Sequence, residues 1–215
     1  MTTPKPFIRD NTALIAPPLV PEVLLHLATE VVPLWRKTEE ELEKEGVPPP
    51  YWAFAWAGGQ ALARYVLDHP ETVRGRSVLD FGSGSGLVAI AAAKAGASRV
   101  LAADIDAFAA AAIALNADAN DVPLDITHED VIGRDGGWQT ILVGDMCYER
   151  PLAERLLFWL GERVRGGATV LLGDPGRSYF PKSGVEKLAT YNVQTTRDLE
   201  DREIRETGVY RLVQA

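Results

Sequence analysis

A chain of 215 residues, 47% of them apolar, is long enough for one domain with a substantial core. Its net charge of −8 and pI near 5.0 argue against nonspecific nucleic-acid binding, which needs a basic face. Cys147 is the single cysteine, so an intramolecular disulfide is excluded, and no stretch approaches the ~18 continuous apolar residues of a membrane span.

Residues 1–20 carry Pro4, Pro6, Pro17 and Pro18 and read as an irregular arm with one strand around Thr12–Ala16. From Pro21 the spacing of Val23, Leu24, Leu27, Ala28 and Val31 predicts a helix with proline in its first turn. Pro33 removes a backbone donor and should kink or restart it. Leu34–Lys44 continues as an acidic, solvated face, and Gly46 with Pro48–Pro50 ends it. The segment Pro49-Pro50-Tyr51-Trp52-Ala53-Phe54-Ala55-Trp56-Ala57-Gly58-Gly59-Gln60 then leads into a helix reaching about Asp68. Four aromatic residues in six exceed what a core strand needs. Tyr51 and Phe54 suit a buried cluster, while Trp52 and Trp56 share a side if the segment is irregular or helical, where one could wall a ligand.

The next stretch, Ser77-Val78-Leu79-Asp80-Phe81-Gly82-Ser83-Gly84-Ser85-Gly86, organises the rest. An apolar run ends in a carboxylate and dissolves into alternating glycines before an alanine-rich segment. That is a strand, a tight loop and a helix N-terminus, an arrangement that receives a nucleotide-like ligand. Leu87 stands where a dinucleotide fingerprint wants glycine or alanine, and the Gly-Lys-Ser/Thr triplet of a P-loop is missing. Asp80 would repel a pyrophosphate but suits a ligand whose nearby end is an ammonium group. S-adenosylmethionine is such a ligand, and Asp80-x-Gly82-x-Gly84-x-Gly86 resembles the first motif of the class I methyltransferases.

Leu87–Ala95 reads as a helix ending at Gly96, and Ser98–Asp104 repeats the strand that ends in an acid. Asp104 lies some eighteen residues beyond the last glycine, where a carboxylate can accept both ribose hydroxyl protons. Asp106 reads as the N-cap of a helix over Ala107–Asn120, with Asn120 as its C-cap. A third strand over Leu124–Thr127 precedes His128-Glu129-Asp130, where Asp130 is favoured over Glu129 to accept from an adenine amino group. A fourth strand, Thr140–Val143, runs into Gly144-Asp145-Met146-Cys147-Tyr148. A helix over Leu152–Val164, a strand over Ala168–Leu172, the loop Gly173-Asp174-Pro175-Gly176-Arg177 and an antiparallel pair, Ala189–Thr196 with Arg205–Val213, complete the chain. Alternating strands and helices imply an α/β, Rossmann-like, mostly parallel sheet with helices on both faces. Residues 1–70 are expected to form an arm and helices capping a methyltransferase domain at 71–215, folded with it as one compact unit.

Methyl transfer from a sulfonium is an in-line displacement that rests on proximity and orientation. A lysine arrives as ammonium and must lose a proton. Asp145, at the end of the fourth strand, can steer the cation in, orient the amine and stabilise the developing charge. Tyr148 can wall the channel or hydrogen-bond the amine. Cys147 reads as a buried small residue, and His26, His69 and His128 lack metal-ligand spacing, so no metal is expected.

The Pro49–Gln60 segment, Asp80–Gly86, Asp145-x-x-Tyr148 and Gly173–Arg177 together resemble the lysine methyltransferases of the electron transfer flavoprotein β-subunit, over most of the chain from Thr12 onward. The resemblance implies a seven-stranded sheet, S-adenosylmethionine as methyl donor with S-adenosylhomocysteine as product, and methylation of flavoprotein lysines that modulates electron transfer. Its catalytic residues are Asp145 and Tyr148. The cofactor-binding set is Trp56, Asp80, Gly82, Ser83, Gly84, Gly86, Asp104, Ile105, Asp130 and Asp145. By the same resemblance it is expected to be a bacterial member, since the transit peptide of a mitochondrial one is absent; the lone cysteine suits a reducing cytoplasm, and a monomer with no nucleic-acid or membrane partner is expected. The nearest alternative is a ribosomal protein L11 lysine methyltransferase, against which Asp145-Met146-Cys147-Tyr148 stands in place of an Asn-Pro motif. The other alternative is a non-catalytic S-adenosylmethionine-binding partner subunit.

Overall fold

The computed structural model describes residues 4–28, 49–195 and 203–213. The expected helical stretch at 34–44, with Pro33 before it, lies outside the described residues. The described elements begin with α1 (Pro4–Asn11), β1 (Ala13–Ile15), β2 (Leu25–Leu27) and α2 (Ala57–Asp68). Then come β3 (Ser77–Phe81), α3 (Leu87–Lys94), β4 (Arg99–Ala103), α4 (Ala107–Ala119), β5 (Asp125–Thr127), β6 (Thr140–Gly144) and α5 (Arg150–Arg165). The chain closes with β7 (Thr169–Asp174), β8 (Val185–Gln194) and β9 (Ile204–Leu212).

Seven of these strands form one sheet in the order β5-β4-β3-β6-β7-β9-β8. The first five are mutually parallel, and β9 enters antiparallel between β7 and β8. The chain runs one way from β3 through β4 to β5, then returns to β6 on the other side of β3. That reversal opens a crevice at the carboxyl ends of β3 and β6, where open α/β sheets receive ligands. The alternation within β3 shows why the sheet needs both helical layers. Val78 packs with the α2–α3 layer, whereas Leu79 and Phe81 pack with Leu156, Trp159 and Leu160 of α5. A strand buried on both faces reads as a continuous apolar run, as β3 and β6 do.

The amino-terminal region departs from the expected pattern. A helix occupies Pro4–Asn11 in the supposed irregular arm, and the helix expected from Pro21 is a turn followed by β2, paired antiparallel with β1. The physical reason lies in period two. Val23, Leu25 and Leu27 are buried while Leu24 is exposed, and the backbone around them finds partners across space. Asn116 Oδ1 accepts from the His26 amide at 2.7 Å, and Asn120 grips both the amide and the carbonyl of Leu24, at 3.0 and 2.6 Å. These bonds replace those a helix would make within itself. A third apolar cluster, with Ile8, Trp52 and Phe54 against Ala109, Ala112 and Leu115, seats the same region on α4. Helix α2 belongs to the sheet's own layer, over β6, β7, β8 and β9.

Asn116 also donates to the carbonyl of Ser85 at 2.7 Å, so one fully buried amide ties β2 to the glycine loop. Asn116→Ala leaves buried backbone groups unpaired and should cost about 2–3 kcal/mol, seen as a lower urea midpoint at unchanged slope. An unchanged midpoint would show that the tie is dispensable.

Candidate active site

The loop after β3 takes the shape its glycines permit, with Gly82, Gly84 and Gly86 at φ of 64°, 54° and 83°. Asp80 is 1% exposed, and its Oδ2 accepts from the Ser83 hydroxyl at 2.6 Å and from the Ala89 amide at 3.0 Å. The carboxylate therefore fastens the loop to the first turn of α3, whose N-terminus favours negative charge. Burial pushes its pKa up to about 7, against the pull of those two donors. Asp104, just past β4, accepts from the Gly84 amide at 2.8 Å through Oδ2 and from the Asp106 amide at 3.0 Å through Oδ1. Burial raises its pKa as well. Ile105 beside it is 77% exposed, an apolar side chain turned to solvent next to a partly sheltered acid. Asp106 caps α4 through the Phe108 amide, and Asn120 closes that helix, both as read from the sequence.

Asp130 stands apart from this group. It is exposed, forms an ion pair with Arg155, and accepts from the Ile132 amide at 2.9 Å. Burial opposes the shift, but the Ile132 amide and the Arg155 guanidinium hold its carboxyl below the ordinary range. Both tryptophans pack in the apolar cluster on α4. Trp52 is buried and stacks on Phe108 at 6.4 Å between centroids, while half-buried Trp56 lies near Tyr51 at 5.9 Å and Phe54 at 6.1 Å.

At the end of β6, Asp145 is 8% exposed and adopts φ of 58°, rare for a residue with a Cβ. Its Oδ2 accepts from the Gly58 amide and, at 3.3 Å, from the Gly59 amide, so it caps α2 from another part of the chain. Its Oδ1 accepts from Arg177 Nη2 at 2.7 Å and Nε at 2.9 Å. Helix α2 has Trp56 at its N-cap position, which supplies no side-chain cap. The close approach depends on glycine. A Cβ on Gly58 would overlap the Gly173 carbonyl and the Asp145 carboxylate, and one on Gly144 would stand 3.0 Å from Gly59 Cα. Met146 lies over Gly82 and joins this corner to the glycine loop.

Around Asp145 stand groups that the sequence did not single out by role. Asp174, 2% exposed at the end of β7, accepts through Oδ1 from the Gly176 and Arg177 amides, each at 2.7 Å. Its Oδ2 is buried with no hydrogen-bond partner, and burial raises its pKa to about 6. Strand β7 thus extends two residues into the stretch expected as loop. Arg177 lies 5.7 Å over the Trp56 ring. Tyr148 is 45% exposed, 6.1 Å from Tyr51 between centroids, and its phenol pKa is raised by burial, then by Tyr51, Glu149 and Asp104. Cys147 is 3% exposed, and burial followed by Asp174 and Asp145 pushes its thiol up to about 12, an inert state. A Gly-Gly helix start without a local cap was the available sequence signal for a distant acid. Nothing local marked Arg177 as its partner.

The strand order, the glycine loop on β3 and the acids beyond β4 and β6 define a class I methyltransferase. A solved magnesium protoporphyrin IX methyltransferase from Synechocystis PCC 6803 shares this fold at a TM-score of 0.55 and 17% identity, over 74% of this chain and 80% of that one. The ribosomal protein L11 methyltransferase (PrmA) family matches residues 60–140, less than half of the chain. The electron transfer flavoprotein beta subunit lysine methyltransferase of Xenopus laevis is 43% identical over 97% of this chain and 87% of its own length. Its Homo sapiens counterpart is 42% identical over 90% of this chain and 76% of its own length. The chain belongs to the electron transfer flavoprotein beta subunit lysine methyltransferase family.

Two outcomes follow from this geometry. Gly58→Ala should lower stability by about 1–3 kcal/mol, whereas Gly59→Ala, with only Val88 at 4.0 Å, should be neutral or gain up to about 1 kcal/mol of helix propensity. Paired thermal melts check this. Asp80 keeps a proton when folded between about pH 4 and 7 while the unfolded chain has lost its own. Its contribution to stability therefore falls as pH rises through that window, and Asp80→Asn should flatten the decline in urea midpoints.

Proposed function

We propose that this protein transfers methyl groups from S-adenosylmethionine to lysine side chains of the electron transfer flavoprotein β-subunit and so modulates electron transfer. The observation that carries the reading is Asp145, a buried carboxylate at the end of β6 held between the start of α2 and Arg177, with half-exposed Tyr148 three residues on. The names of full-length relatives supply the substrate.

The residues present fit the methyl donor. Asp104 can take the ribose hydroxyls, Ile105 offers an exposed apolar face for the adenine, and the Gly82–Gly86 loop can receive the amino-acid end. Asp80 would act on that end through the loop it fastens, since its Oδ2 is already committed to Ser83 and Ala89. Trp56 and Asp145 would border the methyl-transfer side, while Asp130, paired with Arg155 apart from the glycine loop, is given no contact with the donor. When bound, S-adenosylmethionine supplies a sulfonium methyl group for displacement. Asp145 orients the acceptor amine and stabilises the charge that develops on nitrogen. Tyr148 and Tyr51 wall the approach, and their rings suit a cationic side chain.

The same reading takes residues 1–70 as an extension and 71–215 as the methyltransferase domain, supported by a separate two-stranded sheet in the former. It also takes the enzyme as a cytoplasmic monomer with no nucleic-acid partner and no metal, supported by the acidic pI and the single buried cysteine. Among the described residues no helix is long and apolar enough to cross a membrane.

Intact mass spectrometry of purified flavoprotein β-subunit and of ribosomal protein L11, each incubated with enzyme and S-adenosylmethionine, tests the function. Methyl increments are expected on the flavoprotein subunit alone, and increments on L11 alone would transfer the reading to that substrate. Asp145→Asn should abolish the increments while calorimetric S-adenosylmethionine affinity stays within about threefold. Asp104→Ala should weaken that affinity by about tenfold or more, the loss of a charged hydrogen-bonding partner.

A further inference from the structure

The site contains a cation of its own. Arg177 sets two nitrogens 2.7 and 2.9 Å from Asp145 Oδ1, the carboxylate oxygen that the α2 amides leave to it. Methyl transfer needs the lone pair of a neutral amine, yet a lysine with its ordinary pKa of about 10.4 arrives protonated. A sheltered carboxylate alone would raise that value further and hold the amine in its unreactive form. A guanidinium beside the carboxylate reverses the preference.

The surroundings hold Arg177 in place. Its side chain is 18% exposed and lies over Trp56 at 5.7 Å. Its own amide and that of Gly176 are fixed on Asp174 Oδ1 at 2.7 Å each, and its carbonyl accepts from the Phe180 amide at 3.1 Å. Displacing the guanidinium would strip a cation from two adjacent carboxylates, Asp145 and Asp174. Among the described residues, the groups facing this corner include the Cys147 thiol and the Tyr148 phenol from the loop after β6, Tyr51 from the 3₁₀ turn, and the Gly58 and Gly59 amides of α2. Of these named groups, Arg177 carries the full positive charge.

We propose that Arg177 is a positioning residue for methyl transfer, staying on Asp145 throughout and offsetting its charge so that the acceptor lysine is held there as a neutral amine. The proposal rests on the functional reading above. In the reaction the lysine first gives its proton to solvent. The nitrogen lone pair then forms the new C–N bond as the methyl–sulfur bond breaks, with the electron pair left on the sulfur of S-adenosylhomocysteine.

The test begins with wild-type enzyme and flavoprotein β-subunit. Failure to methylate that protein would defeat the functional reading and would be recognised before any variant is made. Arg177→Met and Arg177→Lys are then compared by steady-state kinetics across the alkaline range, with calorimetry for S-adenosylmethionine binding. Arg177→Met should lose about tenfold to hundredfold in kcat near neutral pH while KM for the protein substrate changes less than about threefold. The rising limb of its pH profile should move up by about one unit, and added guanidinium ion should recover part of the rate. Arg177→Lys keeps the charge, so its limb should stay in place although its kcat is lower. A fall in KM with kcat retained would show instead that Arg177 blocks the acceptor seat, and would overturn the proposal. An unmoved limb in Arg177→Met would reduce Arg177 to a structural role. Should Arg177→Met fail to bind S-adenosylmethionine, a shifted limb in Arg177→Lys overturns the proposal and an unshifted one supports it.

Discussion

The Asp145 carboxylate holds the candidate site together. One oxygen faces the N-terminus of α2, whose orphan amides and dipole favour a negative charge, and the other faces the Arg177 guanidinium. Among the described residues, three separate pieces of chain therefore meet on one group: the end of β6, the start of α2 and the loop after β7. A carboxylate so sheltered would be costly by itself. Paired in this way its geometry is fixed, which is what the proposed aiming of an acceptor amine requires.

That meeting is possible because the neighbouring backbones come unusually close. Gly58, Gly144 and Gly173 lie where α2 crosses the ends of β6 and β7, and a side chain at Gly58 or Gly173 would collide with the backbone opposite. The glycine loop is built by the same logic with different groups. Asp80 fastens the glycine loop to α3, and Asp104 fastens it to the start of α4. Asn116 carries the connection outward, linking that loop to the amino-terminal hairpin. The hairpin and the loop are therefore mechanically one assembly, although residues 26 and 85 are far apart in the chain.

Most of the sheet was legible from local pattern. Strands such as Thr140–Gly144 are buried on both faces and are written as unbroken apolar runs between turn signals. Asp106 and Asn120 were readable as helix caps because capping is decided by nearest neighbours. The stretch after Pro21 misled for the opposite reason. Val23, Leu24, Leu27 and Ala28 satisfy a helical period while Val23, Leu25 and Leu27 satisfy an alternating one, and the choice was made by Asn116, Asn120 and β1, none of them local.

By itself the sequence determined the fold class, the glycine loop on its strand and the positions of the acids at strand ends, because each depends on residues within about ten of one another. It also placed Asp145 and Tyr148 in one short motif. Only the tertiary structure decided what those acids touch. Asp80 turned inward to its own loop, Asp130 went to Arg155, and Asp145 received a helix from 87 residues away and a guanidinium from 32 residues away. Hydrogen bonds between distant segments carry no local signature. They exist because the strand order brings those backbone ends together, and the groups buried there must find partners.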